Sequence, residues 1–169
     1  MEVFEAVRMI LAVRSYKDKP VPADVVKRIV EAGRLTGSSN NGQPWHFIAV
    51  ESRQMLAQLA GVSASGPYIS QAPLAIAVAI EKASRFGVSD GSRAIQSMML
   101  TAWSEGIGSN WVGFVGMSQA KSLLGVPDEY DLLAIVPFGY PASAVGRGKK
   151  KRKPFSQVAS RERFGKSFS

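Results

Sequence analysis

The chain has 169 residues, 46% of them apolar, enough for one domain with a substantial core. It has no cysteine and a single histidine, His46, which excludes disulfides, thiolate metal sites, thiol nucleophiles and His-rich metal cages, so no metal is expected. The net charge of +8 is unevenly placed: residues 1–140 carry 12 Lys/Arg and 12 Asp/Glu, whereas residues 141–169 carry 9 Lys/Arg against Glu162 alone.

Glu2-Val3-Phe4-Glu5 offers no basic start with an apolar run behind it, so no signal peptide is expected. No apolar run approaches ~20 residues, so no spanning helix is expected either, and a cytoplasmic location follows as the expectation. Val3, Phe4, Val7, Ile10 and Leu11 recur at helical spacing and predict a helix over 2–12. Residues 13–21 read as extended and are closed by Pro20 and Pro22. A second helix is predicted over 23–35, with Val25, Val26, Ile29, Val30 and Leu35 on one face and Gly37 as its stop.

Thr36-Gly37-Ser38-Ser39-Asn40-Asn41-Gly42-Gln43-Pro44-Trp45 then forms a polar loop of hydroxyls and amides leading into a strand over 46–50. Short polar side chains and exposed backbone groups suit such a loop to wrapping a polar, aromatic ligand. Ser52 caps a helix through Leu59, and residues 66–71 form a further helical turn. Leu74-Ala75-Ile76-Ala77-Val78-Ala79-Ile80 is apolar on both faces and reads as a central strand. The longest helix starts at Ser89 or Asp90 and ends near Gly106. Ala94, Ile95, Met98, Met99, Leu100, Ala102 and Trp103 surround it, so it should be buried in the core or against a partner chain. A short strand over 109–115, a helix from Ser118 to Gly125, a strand over 132–138 and a final helix over 156–163 complete the pattern.

Two helices precede the first clear strand, so a regular βαβ winding describes the chain poorly and an α+β fold is expected. No internal repeat and no second domain is visible, so residues 1–169 form one domain with a basic C-terminal segment, 141–169. No Gly-x-Gly-x-x-Gly run follows a strand, which leaves a Rossmann dinucleotide site unsupported. Lys149-Lys150-Lys151-Arg152-Lys153 suits a phosphate, an acidic surface or nucleic acid, or a solvated tail.

Five landmarks, in order, resemble those of one family. Val13-Arg14-Ser15-Tyr16-Lys17-Asp18-Lys19-Pro20-Val21 is similar to the entry motif of the nitroreductase family of flavin enzymes. The loop from Ser38 to Trp45 resembles its second motif. Asp90-Gly91 with the helix behind it, then Gly106-Ile107-Gly108-Ser109-Asn110-Trp111-Val112-Gly113, resembles its third. Gly139-Tyr140-Pro141 and Lys150-Lys151-Arg152-Lys153-Pro154 resemble its late strand end and closing basic motif.

The resemblance implies a sheet flanked by helices in an intertwined homodimer, with FMN at the interface touched by both chains. It implies NAD(P)H as donor, small acceptors such as nitroaromatics or quinones, and a ping-pong cycle. Lys150 and Arg152 match the pair that clamps the FMN phosphate. Arg14 matches a cation near the flavin pyrimidine edge, where it favours the reduced, anionic ring. Ser38, Ser39 and Asn41 match the loop bonded to the ribityl chain and ring edge, with Gln43 and Trp45 structural. Val112 and Gly113 fall where the family's backbone faces the flavin N5 and O4. No residue is required as acid, base or nucleophile, because the flavin carries the chemistry. His46 is expected to pack along its strand, and Trp111 to be core or ring wall.

The chain departs from the pattern at Ile10-Leu11-Ala12, where the family usually carries Arg-Arg-Ser. The family's polar pair before its second strand is also absent, with Ser65 and Tyr68 near those places. Three alternatives stay open at the level of sequence: an enzyme of the same fold using a deazaflavin or consuming a flavin, a flavin-binding protein without turnover, and a nucleic-acid-binding module built on 147–153. The last lacks aromatics interleaved with its basic run before Phe155, so nucleic acid is not the expected partner.

Overall fold

The computed structural model describes residues 1–113, 117–145 and 150–168. Eleven labelled elements suffice to place the site. They are α1 (Val3–Met9), α2 (Ala23–Arg34), β1 (Trp45–Val50), α3 (Arg53–Val62), β2 (Leu74–Glu81), α4 (Gly87–Ser104), β3 (Gly108–Ser109), β4 (Val112–Gly113), α5 (Met117–Leu123), β5 (Tyr130–Gly139) and α6 (Phe155–Val158). Helices and an antiparallel sheet together give the α+β architecture that the sequence predicts.

The sheet has five strands in the order β1-β2-β5-β3, and β4 also pairs β5. All its ladders are antiparallel, with Ile48 opposite Ala77 and Ile76 opposite Val136 as representative partners. β2 and β5 are its centre, and from Leu74 to Ile80 every β2 residue is buried, as an apolar run with no polar face requires. One sheet face packs Ile76, Val78 and Phe138 against Ile29 of α2 and Ile95 and Met98 of α4. The other packs Ala75, Ala77 and Ile135 against Leu56 and Leu59 of α3 and Ala120 of α5.

α1 is shorter than the apolar spacing predicts. The helix stops at Met9 because Ile10 turns out at ψ 130°, and Ala12 then bridges Ser109 in parallel. Ile10 and Leu11 continue the helical pattern in sequence, yet they line a surface cleft. The segment behind them is stitched to the sheet: the Val13 amide donates to the Ser109 carbonyl at 2.9 Å, and the Lys17 amide to Tyr140 at 2.8 Å. The Tyr16 hydroxyl donates to the Val13 carbonyl at 2.6 Å. Gly108 is needed where this segment crosses β3, since a Cβ there would lie 2.3 Å from Val13 Cγ2.

α4 begins at Gly87, earlier than predicted, and ends at Ser104. Its inner face is buried, while Met99, Leu100 and Trp103 are only half-buried within one chain. The predicted strand over 109–115 is two short pieces, β3 and β4, interrupted at Asn110-Trp111, and its last two residues lie outside the described ones. α5 starts before Ser118, and the predicted final helix over 156–163 is a single turn, α6. Among the described residues no helix is long and apolar enough to cross a membrane.

Candidate active site

The end of α1, the outer face of α4, the β3–β4 junction and the C-terminal segment enclose an open cleft of about 690 Å³. That is a usual size for a site holding a small organic ligand. Its walls are Ile10, Leu11, Ala12, Met99 and Trp111, and its polar groups come from Arg8, Gln96, Asn110, Lys150 and Arg152. Two cations predicted for a phosphate therefore face one cavity. The Lys150 ammonium donates to the Val7 carbonyl at the end of α1 at 2.6 Å, which ties the C-terminal segment to the first helix. The Arg152 guanidinium donates to the Lys151 carbonyl at 3.1 Å.

Among the described residues neither cation has a carboxylate partner, unlike Arg8, Arg28, Arg34, Arg53 and Arg93. Burial first, and the Arg152 guanidinium second, pull the Lys150 ammonium below the usual lysine value. Two like charges at one cavity, neither with a carboxylate partner among the described residues, have the chemistry to hold an anion. Lys149, the other end of the basic run, lies outside the described residues.

Arg14 is exposed and stands over the Tyr68 ring, 6.0 Å from its centroid. Tyr68 belongs to the 3₁₀ helix at Pro67–Gln71, and its hydroxyl accepts a very short hydrogen bond from the Asn110 side-chain amide. The same amide reaches the Trp111 carbonyl at 3.2 Å. Asn110 is buried and lines the cleft, so Arg14, Tyr68 and Asn110 form one polar chain ending at its wall. Val112 and Gly113 follow directly. The Val112 side chain is in the core beside Ile69 and Ile135, which leaves only its backbone for a ligand. Gly113 accepts no side chain, since a Cβ would lie 2.7 Å from Trp111 Nε1 and 3.0 Å from the Leu133 carbonyl.

The loop at Ser38, Ser39 and Asn41 is a second polar cluster, and none of the three lines the cleft of its own chain. Asn40, Asn41 and Gln43 adopt φ of 52°, 55° and 49°, a left-handed run that asparagine tolerates and glutamine less readily. Such backbone concentrates where surrounding contacts over-determine it. Those contacts are visible. The Gln43 amide donates to Ser38 Oγ at 2.9 Å, and its side chain donates to the Asn41 carbonyl at 3.1 Å. Ser39 donates to buried Asp90 through its amide at 3.0 Å and its hydroxyl at 3.2 Å. Thr36 Oγ1 donates to Ser97 Oγ at 2.8 Å. Burial alone would raise the Asp90 carboxyl, but the Ser39 amide, the Arg93 guanidinium and the Ser39 hydroxyl outweigh it and hold it below the usual range.

α4 thus serves both clusters. Asp90, Arg93 and Ser97 hold the loop, whereas Gln96 and Met99 face the cleft, about 120° around the helix. Within one chain the structure brings Lys150 and Arg152 together, sets Arg14 beside Tyr68, and keeps Ser38, Ser39 and Asn41 apart from them. Gln43 holds the loop and Trp45 stacks on Phe47 at 6.0 Å. His46, expected to be packed, is exposed on edge strand β1 with its ring edge-on to Tyr130 at 6.5 Å. Sequence reasoning assigns no site role to Arg8, Asn110 or Asp90, although Asp90 and Asn110 fall within the third motif and Asp90 marks a helix start. The i,i+3 spacing of Glu5 and Arg8 just before the apolar Ile10-Leu11-Ala12 is the one signal in the chain that marks Arg8.

The sequence matches the nitroreductase family over residues 11–85 and 64–140. A Methanothermobacter thermautotrophicus protein with the provisional name NADH dehydrogenase/NAD(P)H nitroreductase is 33% identical over 154 residues, covering 86% of this chain and 81% of the relative. A Bacteroides thetaiotaomicron crystal structure carrying the same provisional name superposes with a TM-score of 0.88 at 26% identity, covering 96% of this chain and 98% of the other. An FMN-dependent nitroreductase from Clostridium difficile superposes with a TM-score of 0.80 at 25% identity, covering 91% and 93%. By these matches along most of its length, the chain belongs to the nitroreductase family.

Proposed function

We propose that the chain is an FMN-dependent oxidoreductase that takes reducing equivalents from NAD(P)H and delivers them to small acceptors such as nitroaromatics or quinones. The observation that carries this reading is the convergence of Lys150 and Arg152, which have no carboxylate partner among the described residues, on a cleft walled by Met99, Asn110 and Trp111. A nucleotide with an anionic end and a flat apolar ring matches that donor set. Lys150 and Arg152 would hold the phosphate. The Arg14–Tyr68–Asn110 chain and the backbone at Val112 and Gly113 would meet the ring's polar edge. FMN, when bound, supplies the hydride-accepting and electron-donating chemistry. The chain's own share is to orient the ring, place Arg14 where negative charge develops, and leave one face open for donor and acceptor in turn, which is a ping-pong scheme.

The loop at Ser38, Ser39 and Asn41 enters this reading through a second copy. It and the cleft lie on different faces of α4, so a homodimer packed across α4 would bring one chain's loop to the other's cleft. Uncovered apolar groups favour such an assembly: Val3 and Phe4 on α1 are 73% and 74% exposed, and Phe155 in the C-terminal segment is 64% exposed. In that arrangement Ser39, whose hydroxyl proton is committed to Asp90, offers a ligand its oxygen lone pairs.

Anaerobic addition of NADH or NADPH to the purified yellow protein tests the reading. Bleaching of the visible flavin absorbance, with recovery on adding a quinone, is the expected result. Tight flavin with no bleaching by either nicotinamide would make the chain a carrier. A deazaflavin in the extracted nucleotide, identified by mass spectrometry, would replace the cofactor.

A further inference from the structure

Ile10, Leu11 and Ala12 line the cleft with apolar side chains and supply no side-chain cation. A third cation nonetheless faces the same space. Arg8, in the last turn of α1, lines the cleft together with Lys150 and Arg152. Its Nη2 donates to Glu5 Oε2 at 2.6 Å and its Nε to Oε1 at 3.1 Å. The two side chains are 58% and 42% exposed, so water screens the pair and a competing anion can displace the carboxylate. A phosphate dianion carries more charge than one carboxylate and accepts the same forked, two-bond geometry from a guanidinium. Lys150, bonded to the Val7 carbonyl one residue before Arg8, brings its ammonium beside the last turn of this helix.

We infer that Arg8 is the third phosphate-binding cation of the cleft, held by Glu5 in the free protein and transferred to the phosphate when the nucleotide binds. Arg8 takes over, from one helical turn earlier, the charge that Ile10-Leu11-Ala12 does not supply. The inference rests on the FMN reading above. It has a corollary: once Arg8 turns to the phosphate, Glu5 is an uncompensated anion near it, so Glu5 opposes binding.

The test is titration of FMN and of riboflavin, by flavin fluorescence, into the wild-type full chain and the variants Arg8→Gln, Arg8→Lys, Glu5→Gln and Arg152→Ala. Arg8→Gln should raise the FMN dissociation constant roughly ten- to a hundredfold and leave riboflavin within about twofold. Arg8→Lys should recover part of the loss, Glu5→Gln should tighten FMN, and Arg8→Gln should flatten the salt dependence of FMN binding. Thermal melts of the variants matching wild type establish that folding is intact, as the exposure of both residues leads one to expect. An Arg8→Gln variant that binds FMN like wild type, or loses FMN and riboflavin equally, overturns the role of Arg8. If Arg152→Ala still separates FMN from riboflavin in that case, the phosphate cleft stands and only Arg8 is removed. If neither variant separates them, the phosphate reading itself falls.

Discussion

The body of the molecule and its C-terminal segment are built on opposite plans. Residues 1–140 are charge-balanced and bury both faces of a sheet, with Ile76, Ile135 and Phe138 fully enclosed. Residues 141–169 hold the entire charge excess, and Phe155, Val158, Phe164 and Phe168 stand in solvent within one chain. Phe155 touches Phe168 at 5.2 Å, and the described part of the segment holds one helical turn. The body is stabilised by its own packing. The segment contributes little to that packing but places two cations at the cleft. Core packing and the proposed phosphate pair, Lys150 and Arg152, therefore come from different stretches of chain, and substitutions at each should fail in different assays.

Phe138→Ala should show the largest effect, about 3–5 kcal/mol of lost stability, because it empties a site at the centre of the core. Its counterpart Phe164→Ala, at a fully exposed position, should leave the unfolding midpoint at fixed protein concentration within about 0.5 kcal/mol of wild type. Denaturant unfolding of the pair measures both, and similar losses would erase the contrast. Arg152→Ala should reverse the order. It should leave unfolding of the flavin-free protein unchanged and weaken FMN by ~1.5–3 kcal/mol, roughly ten- to a hundredfold, with riboflavin little affected.

Asp90→Asn sharpens the comparison from inside the body. The carboxylate holds the loop through Ser39 and pairs with Arg93, so its loss should cost about 1–3 kcal/mol and loosen the loop without touching the basic segment. The pH dependence has a definite sign. The folded Asp90 carboxyl lies below its unfolded value near ~3.9, so its contribution is complete above that pH and is lost as pH falls through the folded value. Wild type should therefore lose stability more steeply than Asp90→Asn below about pH 4, and parallel acid melts would contradict the network. Tyr68→Phe should have the smallest effect, about 1 kcal/mol or less on flavin binding. It removes the hydroxyl that meets Asn110 and keeps the ring under Arg14.

Much of this was legible in the residues. The alternation of helices and strands, the doubly apolar run of β2 and the separate basic segment all follow from pattern and charge, and the motif residues in order pointed to the family. What escaped the pattern depends on tertiary geometry. Ile10 and Leu11 keep the helical period of α1, yet the bridge from Ala12 to Ser109 draws them out of the helix to form a cleft wall. Asp90 reads as a helix-start residue and gives no sign that it anchors a loop 51 positions earlier. Tyr68 and Asn110 lie 42 residues apart and meet only because β3 and the turn before β2 are neighbours in space. The absent Arg-Arg-Ser was plain in sequence, but the arrival of Arg8 at the same cleft required the fold.

Equilibrium titration of the full chain with FMN and with riboflavin, each at low and high salt, tests the central claim most directly. The account predicts saturation at one FMN per chain, affinity that falls as salt rises, and much weaker, salt-insensitive binding of riboflavin. Indistinguishable affinities for the two flavins, or no saturable binding of FMN, would contradict it.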